Sequence, residues 1–285
     1  MISLEDIRIK TNAHRLHELG LSGKGVKVAI LDSGIDITHP YFEGVQIISS
    51  SMFNDQAQDE FQHGTHVASI LTTIAPQSII LNIKIMNHDG ETHLSTIMRG
   101  IEMAIDQGAN IINLSVGVED LNCPDNHPLT KIVEKASNLG IAVVCAAGNS
   151  GPGTSPHLPG SCKHAIAVGS MNIRKRTNKW SSRGPCCAWK YPDCVTFGED
   201  ILGAFPDNQM DVLSGTSQSA PIISGILALI WEISEKPLTI EEIEYLLSQS
   251  CQPIESQEKN NVSGWGSMDA WNFYIARNMM LGRIY

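Results

Sequence analysis

The chain has 285 residues, 42% of them apolar, and a formal net charge of −10. This composition supports one large hydrophobic core and excludes a disordered or low-complexity chain. An acidic chain without basic runs is a poor match for nucleic acid or an anionic membrane. Its one basic cluster, Arg174, Lys175, Arg176 and Lys179, reads as a solvated turn.

The opening stretch MISLEDIRIKTNAHRLHELG mixes acids and bases and lacks the apolar core of a signal peptide. The chain is therefore expected to stay in the cytoplasm, or to begin after a removed leader. GVKVAILDSG follows, a nearly continuous apolar run closed by Asp32, which suits a strand buried on both faces. FQHGTHVASIL then enters a helix, with His63 at its mouth and His66 one turn on. SIILNIKIM, ANIINLSVG, IAVVCAAGN and AIAVGSM repeat the strand style. Between them, LSTIMRGIEMAIDQG puts Ile97, Ile101, Ala104 and Ile105 on one helical face, and PLTKIVEKASNLG ends at the C-cap Gly140. SQSAPIISGILALIWEI reads as a buried helix with Pro221 in its first turn; Ser224 and Gly225 interrupt it, and it is too short to span a membrane. TIEEIEYLLSQS opens with Thr239 and Glu242 at capping-box spacing.

Alternating strands and helices predict a doubly wound α/β fold, a mostly parallel sheet with helices on both faces. Neither a repeat nor a linker appears, so a single domain over 1–285 is expected, with no recognisable signal peptide or propeptide. Sites in such sheets gather at the carboxyl ends of the strands. Asp32 ends the first strand, Ser115 to Gly117 the third, and Gly148 and Asn149 the fourth.

His63 and His66, at i and i+3, could chelate a metal, but a zinc hydrolase of the HExxH type needs i, i+4 spacing and a glutamate between. Here Gly64 and Thr65 intervene, which favours a general base for His63 and a core hydrogen bond facing the sheet for His66. LSGTSQSAP offers four hydroxyls, on Ser214, Thr216, Ser217 and Ser219. A hydroxyl nucleophile needs a base within reach and an acid behind that base. The chain order Asp, His, Ser differs from that of the α/β-hydrolases and of the chymotrypsin type, and the stretch 215–219 is GxSxS rather than a nucleophile elbow. The seven cysteines, Cys123, Cys145, Cys162, Cys186, Cys187, Cys194 and Cys251, are odd in number, without a framework spacing, and fit a reducing compartment. A zinc reading of Cys186, Cys187 and Cys194 lacks any CxxC pair, and Cys145 reads as a small core residue.

LDSGID, HGTHVAS, AAGNSGP, SSRGP and SGTSQSAP, in this order, resemble the subtilisin-like serine proteases, or subtilases. The match is collinear from GLSGKGVKVAILDSG to GWGSMDAW. The resemblance implies a subtilisin-like α/β fold and a serine endopeptidase that cleaves peptides or proteins through an acyl-enzyme; no cofactor is expected and no metal-ligating residue is assigned, though a calcium site other than that of the extracellular subtilisins stays open. It implies that Asp32 orients His63, that His63 is the general base and then the acid, that Ser217 is the nucleophile, and that Asn149 donates to the oxyanion. Ser217 alone of the four hydroxyl residues would stand at a helix N-terminus beside free N–H groups. Ser115, Val116 and Gly117 would pair with an extended peptide, and Ala146, Ala147 and Gly148 would line the pocket for the side chain before the scissile bond (P1).

The chain departs from the family pattern at Gln62, where glycine is usual, and at Gln218 and Ser219, where Met-Ala is usual. Cys194 stands where a core valine is expected. The helix after His63 runs into the next strand without the calcium-binding loop of extracellular subtilisins, so that site is not predicted. Counting back from LPG puts His157 at the base of the P1 pocket, where it would favour a polar or acidic side chain; in another register it lies on a surface loop. An intracellular processing enzyme, of the type that trims leaders from ribosomal peptides, is the expectation. The alternatives are a silent, peptide-binding pseudo-protease and a zinc amidohydrolase built on His63 and His66.

Overall fold

The computed structural model describes residues 1–53, 55–119, 127–152, 157–185 and 189–283. Its strands are β1 (Lys27–Asp32), β2 (Ile47–Ser51), β3 (Ile79–Lys84), β4 (Ile111–Leu114), β5 (Val118–Glu119), β6 (Ala142–Ala146), β7 (His157–Leu158), β8 (Ile166–Met171), β9 (Cys194–Phe197), β10 (Ile201–Phe205) and β11 (Gln209–Leu213). Its helices are α1 (Leu4–Lys10), α2 (Ala13–Glu18), α3 (Gly64–Ile74), α4 (Leu94–Asp106), α5 (Pro128–Asn138), α6 (Thr216–Trp231), α7 (Ile240–Ser250) and α8 (Ala270–Met280).

Seven strands form one sheet in the order β2-β3-β1-β4-β6-β8-β9. Every pairing in it is parallel. The apolar runs are continuous because both faces are covered. Val28 and Ile30 of β1 enter one core with α3 and α6, whereas Ala29 and Leu31 enter the other with α4 and α5. Each such Ile or Leu contributes roughly 1.5–3 kcal/mol by leaving water. From β1 the chain goes to the edge strand β2 and returns as β3 between the two, then from β4 it builds outward on the other side through β6, β8 and β9. The switch lies between β1 and β4, and a crevice opens at the carboxyl ends of such a strand pair.

The predicted helices form with their expected ends: the Thr239–Glu242 capping box closes on α7, and Gly140 has φ +78° just beyond α5. Two readings need correction. Pro221 is the sixth residue of α6, in its second turn rather than its first. His66, fully buried, faces the β10–β11 hairpin and not the main sheet; its Nε2 lies 3.0 Å from the Ile201 carbonyl, and its ring meets Phe205 edge-on. The basic cluster is an exposed turn in which the Asn172 side chain accepts from the N–H groups of Arg174 and Arg176. Among the described residues, no helix is long and apolar enough to cross a membrane.

Candidate active site

Asp32 is the last residue of β1 and is 1% exposed. Its Oδ1 accepts from the Nδ1 of His63 at 2.7 Å and from the Ser33 N–H at 2.8 Å. A carboxylate only accepts, so His63 carries its proton on Nδ1 and presents Nε2 as a base. His63 is the N-cap of α3. The next residue lets the helix approach β1: a Cβ on Gly64 would stand 2.1 Å from the Gly34 carbonyl oxygen and 3.2 Å from the Asp32 Cβ. Gly64 is thus a close-approach position, without which Asp32 and His63 separate.

A second carboxylate organises the same corner. Asp59 is 4% exposed. Its Oδ1 accepts from the Ser33 hydroxyl and from the N–H groups of Phe61 and Gln62; its Oδ2 accepts from the N–H and hydroxyl of Thr65. The Ser33 hydroxyl in turn accepts from the Gly64 N–H at 2.9 Å. Asp59 therefore ties the residue after Asp32 to residues on both sides of His63. Sequence reasoning missed it; the available signal was an acid four residues before the histidine. Burial alone would lower the pKa of His63. The charge of Asp32, its hydrogen bond and the charge of Asp59 outweigh burial and hold that pKa above its ordinary value.

The four hydroxyls of LSGTSQSAP separate by environment. Ser214 is exposed and accepts from the Asp200 N–H. Ser219 is buried and donates to the Phe197 carbonyl at 3.1 Å. Thr216 opens α6 and donates its N–H and hydroxyl to the Asn149 Oδ1, at 2.9 and 3.0 Å. That fixes the amide of Asn149 and leaves both Nδ2 hydrogens for another acceptor. Ser217 is half-buried in the first turn, and its hydroxyl donates to the Ser115 carbonyl at 2.9 Å. The described hydrogen bonds include none between Ser217 and His63, and such bonds often tighten only when substrate is bound.

Beside Ser217 lies a cavity of about 270 Å³ lined by Ser115, Val116, Gly117, Ala146, Gly148, Asn149, Ser150, His157, Thr216 and Ser217. His157 belongs to β7, where it pairs with Glu119 of β5. Its Nε2 lies 3.0 Å from the Ser150 hydroxyl. Its ring lies against Gly148, which has φ +101° and whose Cβ would stand 2.5 Å from the imidazole. Of the expected wall 146–148, Ala146 and Gly148 line the cavity, and Ala147 departs: it is fully buried behind the wall with Ala167 and Tyr191. The Ala147 carbonyl accepts from the Tyr191 hydroxyl and its N–H donates to Val168, which turns the residue into the core.

Residues 23–266 match the model of the subtilase family. The chain belongs to the subtilase family. It is a serine endopeptidase. This subtilase is 32% identical over 266 residues to the intracellular serine protease of Paenibacillus polymyxa, a match covering 85% of this chain and 78% of that one. Among solved structures it superposes on a serine-to-alanine mutant of the protease domain of PatA with a TM-score of 0.80 and 30% identity, over 92% of this chain and 98% of the other. The prenylagaramide maturation protease PagA gives a TM-score of 0.79 and 27% identity, over 93% and 97% of the two chains.

The departures of this subtilase from its family acquire physical content. Gln62 has φ +72°, a conformation easy for glycine and costly for other residues. Its N–H is held by Asp59 at 2.8 Å. Gln218 is 2% exposed, and its Nε2 is buried without a hydrogen-bond partner among the described residues. Cys194 is fully buried in the core, and burial pushes its thiol and that of Cys145 well up, away from reactivity. Cys123, Cys186 and Cys187 lie outside the described residues, so the zinc reading that included Cys186 and Cys187 is not addressed by the geometry.

Proposed function

We propose that Asp32, His63 and Ser217 form the catalytic triad of this endopeptidase and that Asn149 is its oxyanion donor. The observation that carries the reading is the 2.7 Å contact of His63 with the buried Asp32 at the β1–β4 switch, the crevice that Ser115 and Ser217 also border. On substrate binding the Ser217 hydroxyl turns from Ser115 to His63 Nε2, gives up its proton and attacks the scissile carbonyl. The oxyanion forms between the Asn149 amide and the Ser217 N–H at the positive end of α6. His63, stabilised as imidazolium by Asp32, then protonates the leaving amine; water, activated by the same ring, hydrolyses the acyl-enzyme.

Ser115, Val116 and Gly117 take the substrate as an added strand, and P1 enters the cavity walled by Gly148 and Ala146. His157 shortens that cavity and favours a polar or acidic P1 side chain. The whole chain acts as one peptidase domain on peptide or protein substrates in the cytoplasm, with no nucleic-acid partner. It serves there in processing; likeness to the maturation protease PagA supports that reading.

A fluorophosphonate probe tests the nucleophile. Wild type should label and Ser217→Ala should not; labelling that persists in the variant removes the assignment. Profiling of cleaved peptides against His157→Ala tests the P1 reading, which an unchanged preference for large apolar residues would overturn.

A further inference from the structure

The carbonyl of Ser217 lacks the usual i→i+4 helical donor. The residue four positions on is Pro221, which has no N–H to give. The Ser115 hydroxyl takes that place and donates to the Ser217 carbonyl at 2.9 Å. The same hydroxyl accepts from the Asn113 Nδ2 at 3.0 Å, and the Asn113 Oδ1 accepts from the Ser224 hydroxyl at 2.9 Å. Asn113 and Ser224 are fully buried, and Ser115 is 5% exposed. Two periodicities build this chain of bonds. Asn113 and Ser115 are two residues apart at the end of β4, so they face the same way; Ser217 and Ser224 are seven apart on α6, so they share one helical face.

We propose that Asn113, held by Ser224, is a positioning residue that acts through Ser115 on the peptide unit of Ser217; the proposal rests on Ser217 being the nucleophile. Ser115 has a single hydroxyl hydrogen. While Asn113 presents its Nδ2, that hydrogen remains for the Ser217 carbonyl. Were the amide turned over, Oδ1 would accept it and the Ser217 carbonyl would lose its donor. Ser224 decides the orientation, because its hydroxyl crosses to Oδ1 instead of bonding back to its own helix. The held carbonyl sets the tilt of the 217–218 peptide. It thereby sets the direction of the hydroxyl and N–H on the same residue, both of which must meet the scissile carbonyl.

The test measures fluorophosphonate labelling in wild type, Ser224→Ala, Ser115→Ala and the double variant, with the rate and the labelled fraction recorded separately. Ser224→Ala removes one buried oxygen and should label fully, but about 3- to 10-fold more slowly, the worth of one hydrogen bond. In the Ser115→Ala background the same change should alter the rate by less than about 2-fold, since the two act through one path. The pH midpoint of labelling should stay at the wild-type value in every variant, because the base is untouched. Asn113→Asp, which draws the Ser115 hydrogen to itself, should label more slowly than Asn113→Ala. Equal rate losses from Ser224→Ala in both backgrounds, or a wild-type rate with only a reduced labelled fraction, would overturn the proposal. Labelling that persists in Ser217→Ala would instead overturn the nucleophile on which it rests.

Discussion

The outer and inner sides of the first turn of α3 treat the same residue type in opposite ways. His63, on the outer side, meets the carboxylate of Asp32 and has its pKa raised. His66, three residues on, points inward beneath the β10–β11 hairpin, where burial lowers its pKa to about 4. Two histidines of one HGTH motif thus differ in how strongly a counter-charge accompanies burial, a carboxylate in direct contact for His63 and only the weaker pull of Asp211 for His66. With a carboxylate beside it, a half-shielded ring becomes a base; with a carbonyl and an aromatic edge it becomes a neutral core residue.

The largest effect that separates the two sides is on rate. His63→Ala should lower kcat/KM by about 10⁴-fold or more, as expected for loss of a triad member. His66→Ala should leave the folded fraction within about tenfold of wild-type activity while removing about 2–4 kcal/mol of stability, through a cavity and an orphaned Ile201 carbonyl. Steady-state kinetics alongside denaturant titration would check both, and a catalytic collapse in the folded His66 variant would break the contrast. Gly64→Ala probes the wall between the two sides. Its methyl would meet the Gly34 carbonyl at 2.1 Å, so the start of α3 must move away from Asp32. A misplacement of that size costs about 10²-fold in rate, readable as lost kcat in the folded protein.

Stability against pH should carry the same contrast. For His66 the unfolded chain takes up a proton near pH 6.5 and the folded chain only near 4. Stability from this residue is therefore full above about pH 6.5 and falls as pH drops, by about 3 kcal/mol in all by pH 4. His63 works in the other sense: its raised pKa adds stability that is complete below the unfolded value and is lost as pH rises through the folded one. Denaturation midpoints from pH 7 to 4.5 should fall more steeply in wild type than in His66→Gln, and parallel curves would refute the assignment.

How far each side was legible follows from its physics. The central strands were readable because Val28 to Leu31 and their neighbours are apolar at every position, as burial on two faces demands. β2 went unread because Ile47–Ser51 is an edge strand that ends in three serines, and the β10–β11 hairpin because Gln209–Leu213 is largely exposed. Asp32, Asn149 and Ser217 stood out because they sit at strand and helix ends. Asp59 did not, since Asp55, Asp59 and Glu60 look alike in one polar loop; only packing separates the buried hub from its neighbours, of which Asp55 and Glu60 pair with the buried Lys84. Ala147 was misplaced because the chain turns into the core just past β6, beyond the reach of strand alternation.

The finest distinction concerns how Asp59 acts on His63. As a charge, it helps hold the imidazole's pKa up; as an acceptor, it anchors Gln62 and Thr65 on either side of the ring. Asp59→Asn separates these roles. Attack needs neutral His63, so kcat/KM rises with pH through the pKa of that ring in the free enzyme. Removing the Asp59 charge lowers that pKa, and the rising limb should move to lower pH. The amide also turns one acceptor into a donor facing the Thr65 N–H, which loosens the loop and should lower the plateau. A pH–rate profile reads both at once. A lower plateau with an unmoved midpoint would mean that Asp59 only braces the loop, and an upward shift would contradict the electrostatic account of why His63, and not His66, is the base.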